Sequence, residues 1–404
     1  MKFQKFQRFL IIILVAIGFF YGGYYFGKRG FLFEVRRNPP KIDIVNRYPA
    51  DKKLDFALFW QVWDLINSSY LERPIDPQKM VYGAISGMVQ SLGDPYTSFL
   101  PPEVNKSFGD ALGGKYEGIG AELGIKDNVL IVVSPFDGSP AKNAGIKPAD
   151  KILKIDDIST AGLTVSDAVA KIRGASGTKV KLSLQTGGDQ PRDVTIIRGL
   201  ITVASVTWED KGNGIAYIRI SRFGPETNKE WDTAVSEINV KMKEFDSVIV
   251  DVRGNPGGYL ESAVHIGEEF FNGKPVVYEE EATGEQIPLE AKRVGAFINV
   301  PAVFVLVDEG SASASEILAA ALRDNIGAKL IGVKSFGKGT IQDAKDFGDG
   351  SGIHITIAKW LTPKKQWIHK IGLTPDIEVK ITEDDIRTSK DPQLEKALEL
   401  AKKF

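Results

Sequence analysis

Two short segments carry the residue types that could do chemistry in this chain. One is Gly310-Ser311-Ala312-Ser313-Ala314-Ser315-Glu316, and the other is Ser335-Phe336-Gly337-Lys338-Gly339-Thr340-Ile341-Gln342. A serine hydroxyl attacks a carbonyl when a base takes its proton and N–H donors receive the developing oxyanion. The serine cluster suits the second demand. Residues 303–307 have strand length and composition, Asp308, Glu309 and Gly310 supply a turn, and 314–322 places Ile317, Leu318, Ala321 and Leu322 on one helical face. A serine at such a strand-to-helix turn meets unpaired backbone N–H groups and the positive end of a helix dipole. The position also suits a serine that merely caps the helix, so Ser311, Ser313 and Ser315 all stay open on this ground.

The base has few candidates. The chain has three histidines, His265, His354 and His369, and none lies near the serines in sequence. A Ser-His-Asp triad drawn from distant residues stays open, but no local pattern favours it. Lys338 sits between two glycines, where the chain can close around the ammonium and exclude water, and desolvation lowers a lysine pKa toward neutrality. If a strand continues through Thr340 and Gln342, its period of two puts Lys338, Thr340 and Gln342 on one face, with Gln342 able to orient the amine. Residues 332–338 also have the spacing of a phosphate-binding loop. Such a loop needs Ser or Thr directly after the lysine and then a helix, whereas Gly339 and a strand-like run follow here.

The two segments resemble those of the carboxyl-terminal processing peptidases, also called tail-specific proteases, and the resemblance extends over nearly all of the chain beyond its N-terminus. It implies Ser313 as the nucleophile, Lys338 as the general base and Gln342 as the residue that positions the lysine. It also implies that the loop Arg253-Gly254-Asn255-Pro256-Gly257-Gly258 contributes to an oxyanion hole, with Gly257 or Gly258 joining the amide of Ala314. From its residues alone, that loop reads equally as a plain turn between the strand-like run 247–252 and the helix-like run 260–271.

Residues 116–201 contain short strand-like runs and turns, including Gly118-Ile119-Gly120-Ala121, Ser139-Pro140-Ala141 and 144–150. They resemble a bacterial PDZ domain. The resemblance implies that Gly118, Ile119, Gly120 and Ala121 offer N–H groups to a peptide carboxylate, that the strand near 121–125 pairs with the peptide, and that the helix near 165–172 forms the other wall. Arg173, at the end of that helix, matches an arginine that in some members couples ligand binding to the active site; as a residue it is also an ordinary helix-terminal charge.

Composition is compatible with such an enzyme. The chain has 404 residues, enough for two or three domains, and its net charge of -1 argues against nucleic acid as the main partner. Cysteine is absent, which excludes disulfides and zinc-type Cys/His clusters. At the N-terminus Lys2, Lys5 and Arg8 precede the uncharged run 9–26, just long enough to span a bilayer. No Ala-x-Ala-like cleavage site is evident, so an uncleaved single-pass anchor is expected in preference to a signal peptide. Basic residues lie on both sides of the run and leave its orientation open, and the resemblance implies a catalytic domain outside the cytoplasm.

The expected architecture is multidomain α/β: a crotonase-like α/β serine peptidase core with an inserted PDZ domain, an N-terminal helical region and an N-terminal transmembrane helix. Its parts are a cytoplasmic tip and anchor at 1–30, a linker at 31–53, a helical region at 54–105, the PDZ domain at 114–201, the peptidase core at 202–380 and a C-terminal helical region at 381–404. Phe56, Phe59, Trp60, Trp63 and Ile66 recur at helical spacing, which suits packing or dimer contacts. Leu92-Gly93-Asp94-Pro95-Tyr96-Thr97 is also typical of the resembled family, and this region is expected to serve packing and not chemistry. The expected activity is a serine endopeptidase with a Ser/Lys pair, needing no metal, nucleotide or other cofactor, that cleaves extracytoplasmic proteins at or near their C-termini. Expected partners are substrate tails, the membrane, a second copy through the terminal helical regions and an adaptor protein. The alternative is a peptide-binding scaffold whose α/β body has lost its activity, and the intact Ser313, Lys338 and Gln342 weigh against it.

Overall fold

The structure, a computed structural model, describes residues 2–28, 31–37, 40–46, 56–126, 129–136, 138–242, 245–388 and 390–404. It divides into two compact units, 1–81 and 82–404.

In the first unit a helix, Lys2–Lys28, covers the uncharged run expected to anchor the chain. Among the described residues no helix is long and apolar enough to cross a membrane. Gly22, Gly23, Tyr21, Tyr24 and Tyr25 dilute the far end of the run. Where a linker was expected, strands Phe31–Arg37 and Pro40–Asn46 form an antiparallel pair. The register sets Phe33 opposite Ile44 and Val35 opposite Ile42. Pro40 opens the second strand, a position a proline tolerates. The helix Ala57–Ser69 carries the aromatic stripe, with Phe59 and Trp60 edge-to-face at 5.1 Å, and none of its residues is buried.

The second unit is built on a six-stranded sheet. Its order is Val206–Asp210, Ile215–Ile220, Ser247–Asp251, Ala302–Val307, Lys329–Gly332 and Ile377–Glu378. The first pair is antiparallel and every later neighbour is parallel. Parallel strands need crossovers, and the helices Thr227–Lys241, Leu260–Gly267 and Ala314–Ile326 supply them. Val303, Val305 and Val307 face these helices in one core, while Phe304 and Leu306 face the terminal helix Pro392–Ala401 through Ala397 and Ala401 in another. Burial on both faces explains why this strand is a continuous apolar run and not an alternating one. A second, antiparallel sheet holds Gln286–Glu290, Pro275–Glu281, Gly352–Leu361 and Thr340–Asp346 in that order, with Ser98–Leu100 pairing along Gly352–Leu361.

Within this unit a separate sheet, Arg192–Ile197, Lys179–Gln185, Lys151–Ile155, Val129–Pro135 and Ala121–Lys126 in order, encloses its own core of Val132, Ile152, Leu182, Leu184 and Ala168. Its helix Val165–Ile172 starts on a reciprocal cap, in which Asp167 N–H donates to Thr164 Oγ1 and Thr164 N–H to Asp167 Oδ2. Strands Lys115–Gly118 and Gly199–Thr202 pair antiparallel at its base. The chain thus enters and leaves this subdomain side by side, the arrangement of an inserted module.

Candidate active site

The strand Ala302–Val307 delivers the chain to a turn at 308–313, and the helix Ala314–Ile326 carries it away. Ser313 lies between them with φ 54° and ψ -115°, a backbone conformation that costs a non-glycine residue roughly 1–3 kcal/mol. Its neighbours hold it there. Ser311 Oγ donates to Val252 O at 2.8 Å, Ser315 Oγ donates to Asn255 O at 2.9 Å, and Ala312 N–H donates to the same carbonyl at 3.0 Å. Ser311 and Ser315 are fully buried and committed to these bonds, whereas Ser313 is only half-buried and its hydroxyl donates to no group among the described residues. Three serines that look alike in sequence therefore divide into two structural ones and one whose proton is free to move.

The turn that carries Lys338 is bound to the serine turn. Phe336 N–H donates to Ser311 O at 3.0 Å. Glu316, fully buried in the first turn of the helix, accepts from Ser313 N–H at 2.9 Å and Lys338 N–H at 2.9 Å through Oε2, and from Gly337 N–H at 2.7 Å and Ser335 Oγ at 2.6 Å through Oε1. Trp360 Nε1 and Trp367 Nε1 cap the carbonyls of Lys338 and Gly339 at 2.7 and 2.8 Å. A Cβ on Gly339 would lie 2.8 Å from Trp367 Nε1, so glycine is what lets the indole close over the loop.

Lys338 Nζ sits 5.4 Å from the centre of the Tyr96 ring and makes no hydrogen bond or ion pair among the described residues. Burial pushes its pKa down, against the opposing charges of Asp94 and Glu316. The Asp94 carboxyl is itself held low. Burial would raise it, but bonds from Thr356, Thr97 and the Tyr96 amide outweigh that. Thr97 Oγ1 donates to Asp94 Oδ2 at 2.7 Å and Tyr96 N–H to Asp94 Oδ1 at 3.0 Å. The segment expected to serve packing alone thus ends in a loop that brings an anion and an aromatic face to the lysine.

Gln342 shares a face with Thr340, as the period-two argument predicts, and makes no hydrogen bond to Lys338 among the described residues. Its Nε2 donates to Thr340 Oγ1 at 2.9 Å and Thr356 Oγ1 at 3.1 Å, and the ladder with Gly352–Leu361 shifts register between Ile341 and Gln342. Gly257 departs from expectation as a donor, because its N–H is given to Asn255 Oδ1 at 2.9 Å. The amides of Gly258 and Ala314 donate to no acceptor among the described residues. Gly257 instead lies against the turn that carries Ser313. With φ 98°, a Cβ there would come within 2.7 Å of Ala312 O, 2.8 Å of Ser313 Cβ and 3.0 Å of Ala314 N. Asn255, fully buried, ties the two turns together, since its Nδ2 donates to Ile220 O while its Oδ1 and carbonyl accept the bonds already described.

In the inserted subdomain the amides of Ile119 and Gly120 donate to no group among the described residues, while their carbonyls accept from Ala141 and Phe136 N–H. This loop leads into the strand Ala121–Lys126, with Gly118 ending the strand before it. Arg173 is exposed at the end of Val165–Ile172, and its guanidinium stacks 4.6 Å from the centre of the Tyr116 ring, on the strand Lys115–Gly118 that pairs with Gly199–Thr202.

Four residues the sequence reading passed over therefore belong to this site: Asp94, Tyr96, Asn255 and Glu316. Only Glu316 had a local signal, its spacing of three from Ser313, which is that of a capping box.

Comparison with known proteins matches residues 214–379 to peptidase family S41, residues 131–186 to a PDZ domain and residues 15–104 to the N-terminal domain of the activating protease CtpB. The chain is 42% identical to the carboxy-terminal processing protease CtpA of Bacillus subtilis, over 80% of this chain and 68% of that one. It is 40% identical to CtpB of the same organism, over 82% and 69%. A crystal structure assigned to an S41 protease of Bacteroides fragilis shares the fold, with a TM-score of 0.59 at 16% identity over 88% of this chain and 98% of that one.

Proposed function

The chain belongs to peptidase family S41 as a carboxyl-terminal processing serine protease with a PDZ domain, and from that premise we propose that Ser313 is its nucleophile and Lys338 its general base. The observation that carries this reading is a Ser313 hydroxyl that donates to no group among the described residues, on a turn bound, through one carboxylate, to the turn of a lysine whose pKa burial depresses. Neutral Lys338 takes the Ser313 proton as Oγ attacks the peptide carbonyl. The oxyanion is received by the amides of Gly258 and Ala314, and the lysine ammonium returns the proton to the leaving amine. Water then attacks the acyl-enzyme with Lys338 again as base. Gln342 Nε2 is held by two threonine hydroxyls, which leaves Oε1 as the acceptor that steadies the charged lysine.

Substrates in this reading are proteins outside the cytoplasm with exposed C-termini. The tail lies between Ala121–Lys126 and Val165–Ile172, its carboxylate against the open amides of Ile119 and Gly120. The peptidase sheet and its crossover helices are read as crotonase-like. The helix Lys2–Lys28, with Ile11, Ile12, Leu14 and Phe19 all exposed, serves as the membrane attachment. The unburied apolar helix Ala57–Ser69 is assigned to contact with a second copy.

Mass spectrometry of cleavage products from a tail peptide tests the assignment. Wild-type protein should cut and label with a fluorophosphonate, while Ser313→Ala and Lys338→Ala should each abolish cutting, and the double variant should be no worse than either. An active Ser313→Ala protein would overturn it. Protein lacking residues 1–29 should be soluble and active, and full-length protein should sediment with membranes.

A further inference from the structure

We propose that Glu316 is a positioning residue for the reaction, fixing the nucleophile turn against the base turn. The proposal rests on Ser313 and Lys338 acting as the preceding section assigns. A glutamate three residues into a helix commonly reaches back to the capping amide, and the Ser313 N–H contact is of that kind. Capping does not account for the rest. An ordinary capping glutamate lies at the surface, whereas Glu316 is fully buried, and three of its four donors come from a loop nineteen to twenty-two positions farther along the chain. One oxygen, Oε2, receives the amides of both Ser313 and Lys338, so the backbone of the nucleophile and the backbone of the base meet at a single atom.

All four partners are donors, two on each oxygen, and a protonated carboxyl would turn an O–H toward one of them. The donors therefore fit the ionised form, while burial outweighs the four bonds and leaves the carboxyl pKa above its ordinary value. Ionised Glu316 also acts on the lysine through space, opposing the depression that burial causes. The groups around Lys338 are Asp94 and Tyr96 from the loop preceding Ser98–Leu100, Glu316 from the helix, and His354 from Gly352–Leu361, with His369 beyond Tyr96. Among them Glu316 alone holds both catalytic turns by hydrogen bonds.

Full-length Glu316→Gln protein tests this. The substitution keeps the shape, removes the charge and turns an NH2 group toward two donors. We expect kcat to fall about 100-fold with KM within about threefold, since the loss lies in the aligned reaction and not in substrate binding. We also expect the acidic limb of the kcat/KM profile to move to lower pH. Activity needs neutral Lys338, and without this anion the lysine gives up its proton at lower pH. Glu316→Asp keeps the charge but withdraws it by one methylene, so kcat should fall while the limb stays close to its wild-type position. A general structural defect would lower the amount of active protein, seen by fluorophosphonate titration, without moving the limb. Wild-type kcat and an unmoved limb in Glu316→Gln would overturn the proposal. If Glu316→Gln does not fold, wild-type kcat in Glu316→Asp would overturn it equally. Ser313→Ala run in parallel separates the two assignments. If it stays active, the nucleophile reading fails; if it is dead while Glu316→Gln behaves as wild type, only the role of Glu316 fails.

Discussion

Gly257→Ala should cripple turnover while leaving the protein folded. The new methyl group would stand 2.7 Å from Ala312 O and 2.8 Å from Ser313 Cβ, both below any normal carbon contact, and Gly257 would have to keep φ near 98°. A non-glycine residue with positive φ costs about 1–2 kcal/mol, and the contacts force one of the two turns to give way. Asn255 pins the Gly257 loop by its bond to Ile220 O and by the Gly257 amide, so the turn carrying Ser313 must take up part of the displacement. Ala314 N lies 3.0 Å from the new methyl group, so the displacement falls on a proposed oxyanion donor. Losing one such donor costs about 10²–10³ in kcat, or roughly 3–4 kcal/mol of transition-state stabilisation. The assay is steady-state cleavage of a fluorogenic tail peptide, with circular dichroism and thermal melting as controls. We expect kcat reduced about 100-fold, KM within about threefold and a modest loss in melting temperature. A folded Gly257→Ala protein with kcat within about threefold of wild type would refute the clearance argument and the donor assignment with it.

Other substitutions read the same geometry. Because burial depresses the Lys338 pKa and the neutral amine is the active form, kcat/KM should rise with pH through a midpoint below the ordinary lysine range, and Lys338→Arg should be inactive because arginine keeps its proton; an active Arg variant would rule out the base. Asp94→Asn removes a charge that favours protonated Lys338, so its rising limb should shift to lower pH, and an unchanged limb in a pH titration would remove Asp94 from the base's surroundings. Amidating the substrate's C-terminus should weaken binding to the loop 118–121, measured by calorimetry with the Ser313→Ala protein, and equal binding of free and amidated tails would undermine carboxylate recognition. Arg173→Ala should lose turnover while still binding tails, because its stacking on Tyr116 links the groove helix to a strand paired with Gly199–Thr202, from which the chain runs to the peptidase sheet; unchanged turnover would remove it from the mechanism.

The sequence by itself determined what is local. The apolar run 303–307 and the helical face of 314–322 reappear as the strand Ala302–Val307 and the helix Ala314–Ile326, because period and turn residues act within a few positions. The clustered serines and the glycine-flanked lysine marked the two turns for the same reason. Tertiary structure decided what the turns contain. No pattern within the serine cluster separates Ser313 from Ser311 and Ser315; partners at Val252 and Asn255, some sixty residues away, do so. Asp94 reaches Lys338 from more than two hundred residues off through the bonds of Thr97 and Thr356. Period two put Gln342 on the face of Thr340, and only pairing with Gly352–Leu361 brought Thr356 to the same amide. The expectation of an amide donor at Gly257 met a side chain, Asn255 Oδ1, that claims it. Propensity and periodicity are sums over neighbours in the chain. Which hydroxyl is left free, which carboxylate is buried and which amide remains open are set by neighbours in space, where each buried polar group must find a partner and those left without one are available for chemistry.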